Sequence, residues 1–155
     1  SLQAQTSANE LALRNMNNDI LKALAQNEGM LGFSLYPLHL KGGKDCSLEE
    51  FCDMISWTVD LMGIEHVGIG SDAVRKWGYE CLKWMRSGRW TFTTDYGEGS
   101  PGDFQWPEPP FWFRSPADFP ALTSALLKKG FSAEEVQSIM GLNWLIFFSK
   151  SLSPT

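Results

Sequence analysis

Two short apolar runs constrain this chain more than anything else in it: MLGFSLY at 30–36, and the run closing on HVGIG that gives a strand over 65–70. Neither alternates cleanly between apolar and polar residues, the pattern of strands covered on both faces in a parallel sheet. Each follows a stretch of helical periodicity that stops at a glycine. NNDILKALAQNEG predicts a helix over about 18–27, capped by Asn17 or Asn18, with Ile20, Leu21 and Leu24 on its apolar face. SLEE at 47–50 is a capping box, Ser47 with Glu50, and Leu48, Phe51, Cys52, Ile55, Val59 and Met62 follow at helical spacing up to Gly63. Strand, helix and strand together make a βαβ unit, read as parallel and right-handed.

Two parallel strands cannot be a whole domain, because a parallel sheet is buried on both faces. Further strands must come from elsewhere. Residues 71–114, rich in Gly, Pro and Trp, offer WTFTTDY at 90–96 as one candidate. The simpler expectation is that 1–155 is the carboxyl-terminal portion of one larger α/β domain, with 73–114 as a long aromatic-rich insertion after its last strand. Regular structure restarts at SPADF, where Ser115 caps, Pro116 opens the helix and Asp118 is its third residue. Phe119, Leu122, Ala125 and Leu126 face the core and Gly130 stops the helix. SAEE at 132–135 is another capping box, and Val136, Ile139, Met140 and Phe147 carry an apolar stripe to the end. A last strand followed by two helices suits the closing end of a barrel.

Composition narrows the partners. Apolar residues are 43% of 155, so the chain can bury a core. A net charge of −5 with both signs mixed, and no basic patch interleaved with aromatics, argue against a nucleic-acid partner. No apolar run reaches the roughly 18 residues of a transmembrane helix, and SLQAQTSANE has neither the basic nor the apolar region of a signal peptide. Cytoplasmic and periplasmic or secreted locations both stay open. Cys46, Cys52 and Cys81 make neither a disulfide framework nor a zinc pattern, and Cys52 falls on a core-facing helical position. Trp77, Trp84, Trp90, Trp106 and Trp112 crowd one segment, as a satellite core, a pocket wall or a subunit contact.

The candidate chemical groups sit where strands end. Asp72, in VGIGSDAV, lies two residues past a strand's carboxyl end, where α/β folds collect active groups. It either caps the turn that follows or carries a proton over a pocket. Gly68 and Gly70 let a neighbouring backbone or a ligand come close. Tyr36 ends the first strand and lines a pocket or packs under the loop. His39, just beyond, is on the side of the sheet suited to a contact near a site; His66 opens the second strand at the opposite end and is structural. Arg14, in LALRNMNND, is a surface residue or a clamp for a substrate carboxylate. GIGSD is no dinucleotide fingerprint, lacking the third glycine, and Ser71 is not in a Gly-x-Ser-x-Gly elbow.

The order RN…DILKAL…NEGMLGFSLYP, then LMGIEHVGIGSD, then SPADFPALTSALLKKGFSAEEVQSIMGLNWL resembles the membrane dipeptidase (renal dipeptidase-like) family of zinc metallopeptidases, in its carboxyl-terminal portion only. The likeness runs over 1–72 and 115–148 and leaves out the segment between. The resemblance implies a TIM-like (β/α)8 barrel of the metal-dependent hydrolase type that hydrolyses dipeptides or a related small amide. It implies two zinc ions per complete barrel, with ligands mainly on upstream strands and none assigned within this chain, a complementary amino-terminal barrel portion as partner, and often a homodimer. It makes Asp72 the catalytic proton shuttle, Arg14 the ligand of the dipeptide's carboxylate, Tyr36 a substrate-binding residue, and Asn143 structural. The isolated chain is then expected to be inactive.

One departure stands out. The family pattern continues Ser-Asp-Phe-Asp-Gly, and this chain has Ala73, Val74 and Arg75 after Asp72. The second acid is gone. This leaves an alternative: a non-catalytic or specialised relative that binds a peptide or a peptide-derived natural product.

Overall fold

In the computed structural model, residues 16–73 and 108–152 are described. The chain divides into two units, Ser1–Asp72 with Pro109–Thr155, and Ala73–Glu108; the elements below belong to the first. The WTFTTDY candidate strand and Trp77, Trp84, Trp90 and Trp106 lie outside the described residues.

Helix α1 is Asn18–Gln26, and Asn17 caps it by accepting from the Ile20 amide. Of its expected apolar face, Leu21 is buried but Ile20 is exposed. Strand β1 is Leu31–Phe33, α2 is Leu48–Met62 and β2 is Val67–Ile69. Both strands are shorter than their apolar runs. The two pair in parallel, with Leu31 opposite Val67, Gly32 opposite Gly68 and Phe33 opposite Ile69. The described part is thus α/β with a parallel pair joined through a helix.

The capping box of α2 is complete. The Ser47 hydroxyl accepts from the Glu50 amide at 3.2 Å and the Glu50 carboxylate accepts from the Ser47 amide at 2.8 Å. The Ser47 amide bond, then the Ser47 hydroxyl, holds the Glu50 carboxyl below the usual carboxylate range. A depressed acid stabilises the fold above its unfolded-state value and stops doing so as pH falls through its folded value. We expect Ser47→Ala to cost about 1 kcal/mol in urea unfolding at pH 7, with the difference from wild type shrinking as the carboxyl protonates.

The core lies where α2 meets the chain that returns after the second unit. Phe51, Ile55, Val67, Leu122, Leu126 and Ile139 are all fully enclosed. Phe51 receives the edge of Phe33 at 5.8 Å and the tilted ring of Trp112 at 5.3 Å. The Trp112 indole donates to the Cys46 carbonyl at 2.9 Å, which pins the returning chain beside α2. Trp112 therefore serves the core. Cys46 and Cys52 are free and buried, and burial, followed by a neighbouring carboxylate, pushes each thiol up to about 11. Such thiols are inert structural groups.

Helix α3, Phe119–Lys129, is entered through a tight turn at Pro116–Asp118. The Asp118 carboxylate accepts from the amides of Arg114 and Ser115, both at 2.7 Å. Lys129 near its end pairs with Asp53 on α2. Helix α4, Ala133–Gln137, starts on the Ser132–Glu135 box. The apolar stripe does not then run on in one helix. The chain widens into a π-turn over Ser138–Leu142, and the Asn143 amide donates to Ser138, five residues back, before α5, Asn143–Ser151, begins. Widened turns of this kind re-aim the side chains that follow them.

Candidate functional site

Parallel pairing puts the carboxyl ends of β1 and β2 at one end of the sheet, the end that carries active groups in α/β folds. The pairing continues past both strands. The Gly70 amide donates to Phe33 at 3.0 Å, and the Leu35 amide donates to Ser71 at 3.2 Å. That second bond ties the two exits together. The next residue on each side is Tyr36 and Asp72, so the two expected site residues leave adjacent points of the backbone.

Asp72 is exposed and has φ +52°, the left-handed region, which side chains other than glycine enter at a cost. Such backbone at a strand tip is a reason to suspect a functional position. The capping alternative needs the amides of residues 74 and 75, which lie outside the described residues.

Across from it, β1 ends because Ser34 takes a backbone partner of its own. Its hydroxyl accepts from the Tyr36 amide at 3.0 Å, a local side-chain bond that competes with the ladder. His39 Nδ1 lies 3.1 Å from the same hydroxyl. The rings of Tyr36 and His39 meet edge-on with centroids 5.0 Å apart. Pro37–His39 makes one tight turn, closed by the His39 amide on Tyr36 and the Leu40 amide on Pro37. Buried Leu35 and Leu40 anchor the two sides of this turn. Ser34 was not singled out by its sequence context, though it is the one polar residue in LGFSLY.

The other expected residues support the sheet. Because Gly70 and Phe33 share a ladder bond, the backbone groups of 68 and 70 face β1, and those of 67 and 69 face the outer edge of β2. The first residues of α5 occupy that edge. Asn143 Nδ2 donates to Val67 at 2.8 Å and to Ile64 at 2.7 Å, and the Trp144 indole donates to Ile69 at 3.0 Å. Trp144 lies so close over the sheet that a Cβ on Gly68 would sit 2.5 Å from its Nε1. A Cβ on Gly70 would sit 3.2 Å from the Gly32 Cα. What approaches these two glycines is protein. His66, at the opposite end of β2, places Nδ1 2.9 Å from the Gly29 carbonyl, away from the strand tips.

Arg14 lies outside the described residues, as do Val74 and Arg75. Among the described residues, no three His, Cys, Asp or Glu side chains gather in a way that could hold a metal ion. The described residues thus offer no ligand set for the zinc ions that the resemblance implies. No described helix is long and apolar enough to cross a membrane.

A parallel pair with a helical crossover, and polar residues at the strands' carboxyl ends, make an α/β segment that fits a fragment of a barrel-type hydrolase. The match in three dimensions agrees: the crystal structure of an amidohydrolase from Pseudomonas aeruginosa superposes with a TM-score of 0.71 and 27% identity, over 86% of this chain and 39% of that one. Residues 3–76 match the model of the membrane dipeptidase family, peptidase family M19. Dipeptidase aclJ of Aspergillus oryzae is 38% identical over 61 residues, which is 38% of this chain and 14% of that protein. Dipeptidase tcpJ of Claviceps purpurea is 26% identical over 132 residues, 84% of this chain and 24% of that protein. The chain thus spans under a quarter of the length of these relatives.

Proposed function

We propose that this chain is the carboxyl-terminal portion of a (β/α)8-type barrel that hydrolyses dipeptides or a closely related small amide, with 73–114 inserted after the last strand. The observation that carries the reading is the Leu35–Ser71 bond, which brings Tyr36 and Asp72 out side by side at the carboxyl ends of two parallel strands. Asp72 moves a proton between the attacking water and the departing nitrogen. Tyr36 lines the substrate pocket. Arg14 pairs with the free carboxylate of the peptide, a contact that its planar fork makes with two hydrogen bonds.

The rest of the barrel comes from a complementary amino-terminal portion. It adds a strand at the outer edge of β1 and walls the space into which Asp72 is now exposed. At the edge of β2, the Val67 and Ile69 carbonyls each keep a second lone pair beside the one used by Asn143 or Trp144, so a neighbouring strand can share them. The two zinc ions of the family's chemistry would take their ligands from that amino-terminal portion. Trp-rich 73–114 is the segment suited to a homodimer contact.

The experiment is a dipeptidase assay on the completed barrel, with metal content measured on the same sample. Turnover of dipeptides with bound zinc supports the reading. Tight peptide binding without turnover or metal favours instead a binding protein on the same scaffold, the reading that the loss of the second acid after Asp72 motivates.

A further inference from the structure

The turn beyond β1 carries more polar structure than a strand exit requires. Two groups converge on one hydroxyl: Ser34 Oγ accepts from the Tyr36 amide at 3.0 Å and sits 3.1 Å from His39 Nδ1, while the His39 ring stands edge-on against the Tyr36 ring. The hydroxyl can serve both partners at once, since it has one proton to donate and two lone pairs. It keeps a lone pair for the Tyr36 amide and either donates to a neutral Nδ1 or accepts from Nδ1–H. The side chain of His39 is thereby fixed at two places, by a hydrogen bond at Nδ1 and by a ring face. Tyr36 is fixed at its backbone by Ser34 and at its ring by His39.

The turn is held to the site by bonds that do not involve these side chains. Leu35, buried between Ser34 and Tyr36, donates its amide to Ser71, next to Asp72. A rotation of the Tyr36 ring therefore changes the pocket wall without moving the strand. An aromatic side chain has two free torsions, and one hydrogen-bonded neighbour in edge contact is enough to select among its rotamers.

We infer that His39, held by Ser34, is a positioning residue whose ring sets the orientation of the Tyr36 ring at the mouth of the substrate site. This rests on the reading that the carboxyl ends of β1 and β2 face the substrate. His39 touches no reacting atom in this scheme. It determines how well the peptide seats, and its loss weakens binding more than turnover.

The test uses the completed barrel with single and paired substitutions. His39→Phe keeps a ring against Tyr36 and removes Nδ1; Ser34→Ala removes the shared hydroxyl; His39→Asn keeps a polar atom near the Nδ1 position and removes the ring. We expect His39→Phe, Ser34→Ala and His39→Asn each to raise KM for a dipeptide about tenfold with kcat within about twofold. The double substitution should be no worse than either single one, because both break the same link. Fluorotyrosine labelling reports the ring directly. This chain contributes 3 tyrosines, and the Tyr36 fluorine signal, assigned by Tyr36→Phe, should shift or broaden in all three variants. Unchanged KM and an unchanged fluorine signal, or fully additive losses, overturn the inference. If His39→Phe does not fold, Ser34→Ala and His39→Asn decide the matter between them. If the wild-type barrel hydrolyses no dipeptide, the proposed function fails separately, and the fluorine signal alone judges the positioning role.

Discussion

Asp72→Asn in the completed barrel is expected to lower kcat/KM for dipeptides by about 10²- to 10⁴-fold, the range that a positioned general acid–base group supplies. The amide keeps the shape of the carboxylate and cannot take up and return a proton. Stability separates this role from a capping one. The residue sits at φ +52° and is exposed, so glycine in its place relieves a backbone penalty while gaining freedom in the unfolded chain. Asp72→Gly is therefore expected to unfold in urea at the wild-type denaturant concentration or above it, with a change between zero and a gain of about 1 kcal/mol, and with activity lost. If the carboxylate mainly caps the following turn, Asp72→Gly instead loses stability and Asp72→Asn, a good cap itself, keeps activity.

Asn143→Leu is the substitution expected to damage the fold most at a single polar site. Asn143 is buried, and its one amide nitrogen serves both the Ile64 and the Val67 carbonyls. Leucine is close to it in size but leaves those carbonyls without this donor, at about 1–3 kcal/mol for each buried group left unsatisfied. A loss of roughly 2–4 kcal/mol in the unfolding free energy of the completed barrel, read by urea titration, follows. Asn143→Asp is worse at neutral pH, because an ionised oxygen then faces two carbonyl oxygens. Its deficit relative to wild type should narrow in acid, where the introduced carboxyl is protonated and donates one bond. Equal losses at pH 4 and pH 7 would remove the hydrogen-bond account.

The reach of the sequence can be judged element by element. Helix starts were readable because a capping box is a local bargain between one side chain and one amide. Ser47 with Glu50 and Ser132 with Glu135 form as their spacing predicts. The pairing of β1 with β2 was readable because both are apolar without alternation and a helix lies between them. Strand lengths were not, since LGFSLY stays apolar after the ladder has ended; Ser34 ends it through a hydroxyl bond that no periodicity records. The apolar stripe of 136–147 likewise hid a π-turn, whose role is to aim Asn143 and Trp144 at the outer edge of β2. A helix period places residues on a face and says nothing of a break that rotates the face. The placement of Asp72 and Tyr36 just past strand ends was legible in the sequence. Their closeness depends on the Leu35–Ser71 bond between two loops, which only the folded chain supplies.

The central claim is that β1 and β2 are an internal piece of a barrel and depend on strands supplied by another portion. Urea unfolding of residues 1–155 alone, followed by near-ultraviolet circular dichroism of its tryptophans, tests it most directly. The account predicts a broad, non-cooperative change and no hydrolysis of dipeptides, with a sharp transition and activity appearing once the amino-terminal portion is supplied. A single cooperative transition together with dipeptidase activity in 1–155 by itself would contradict it.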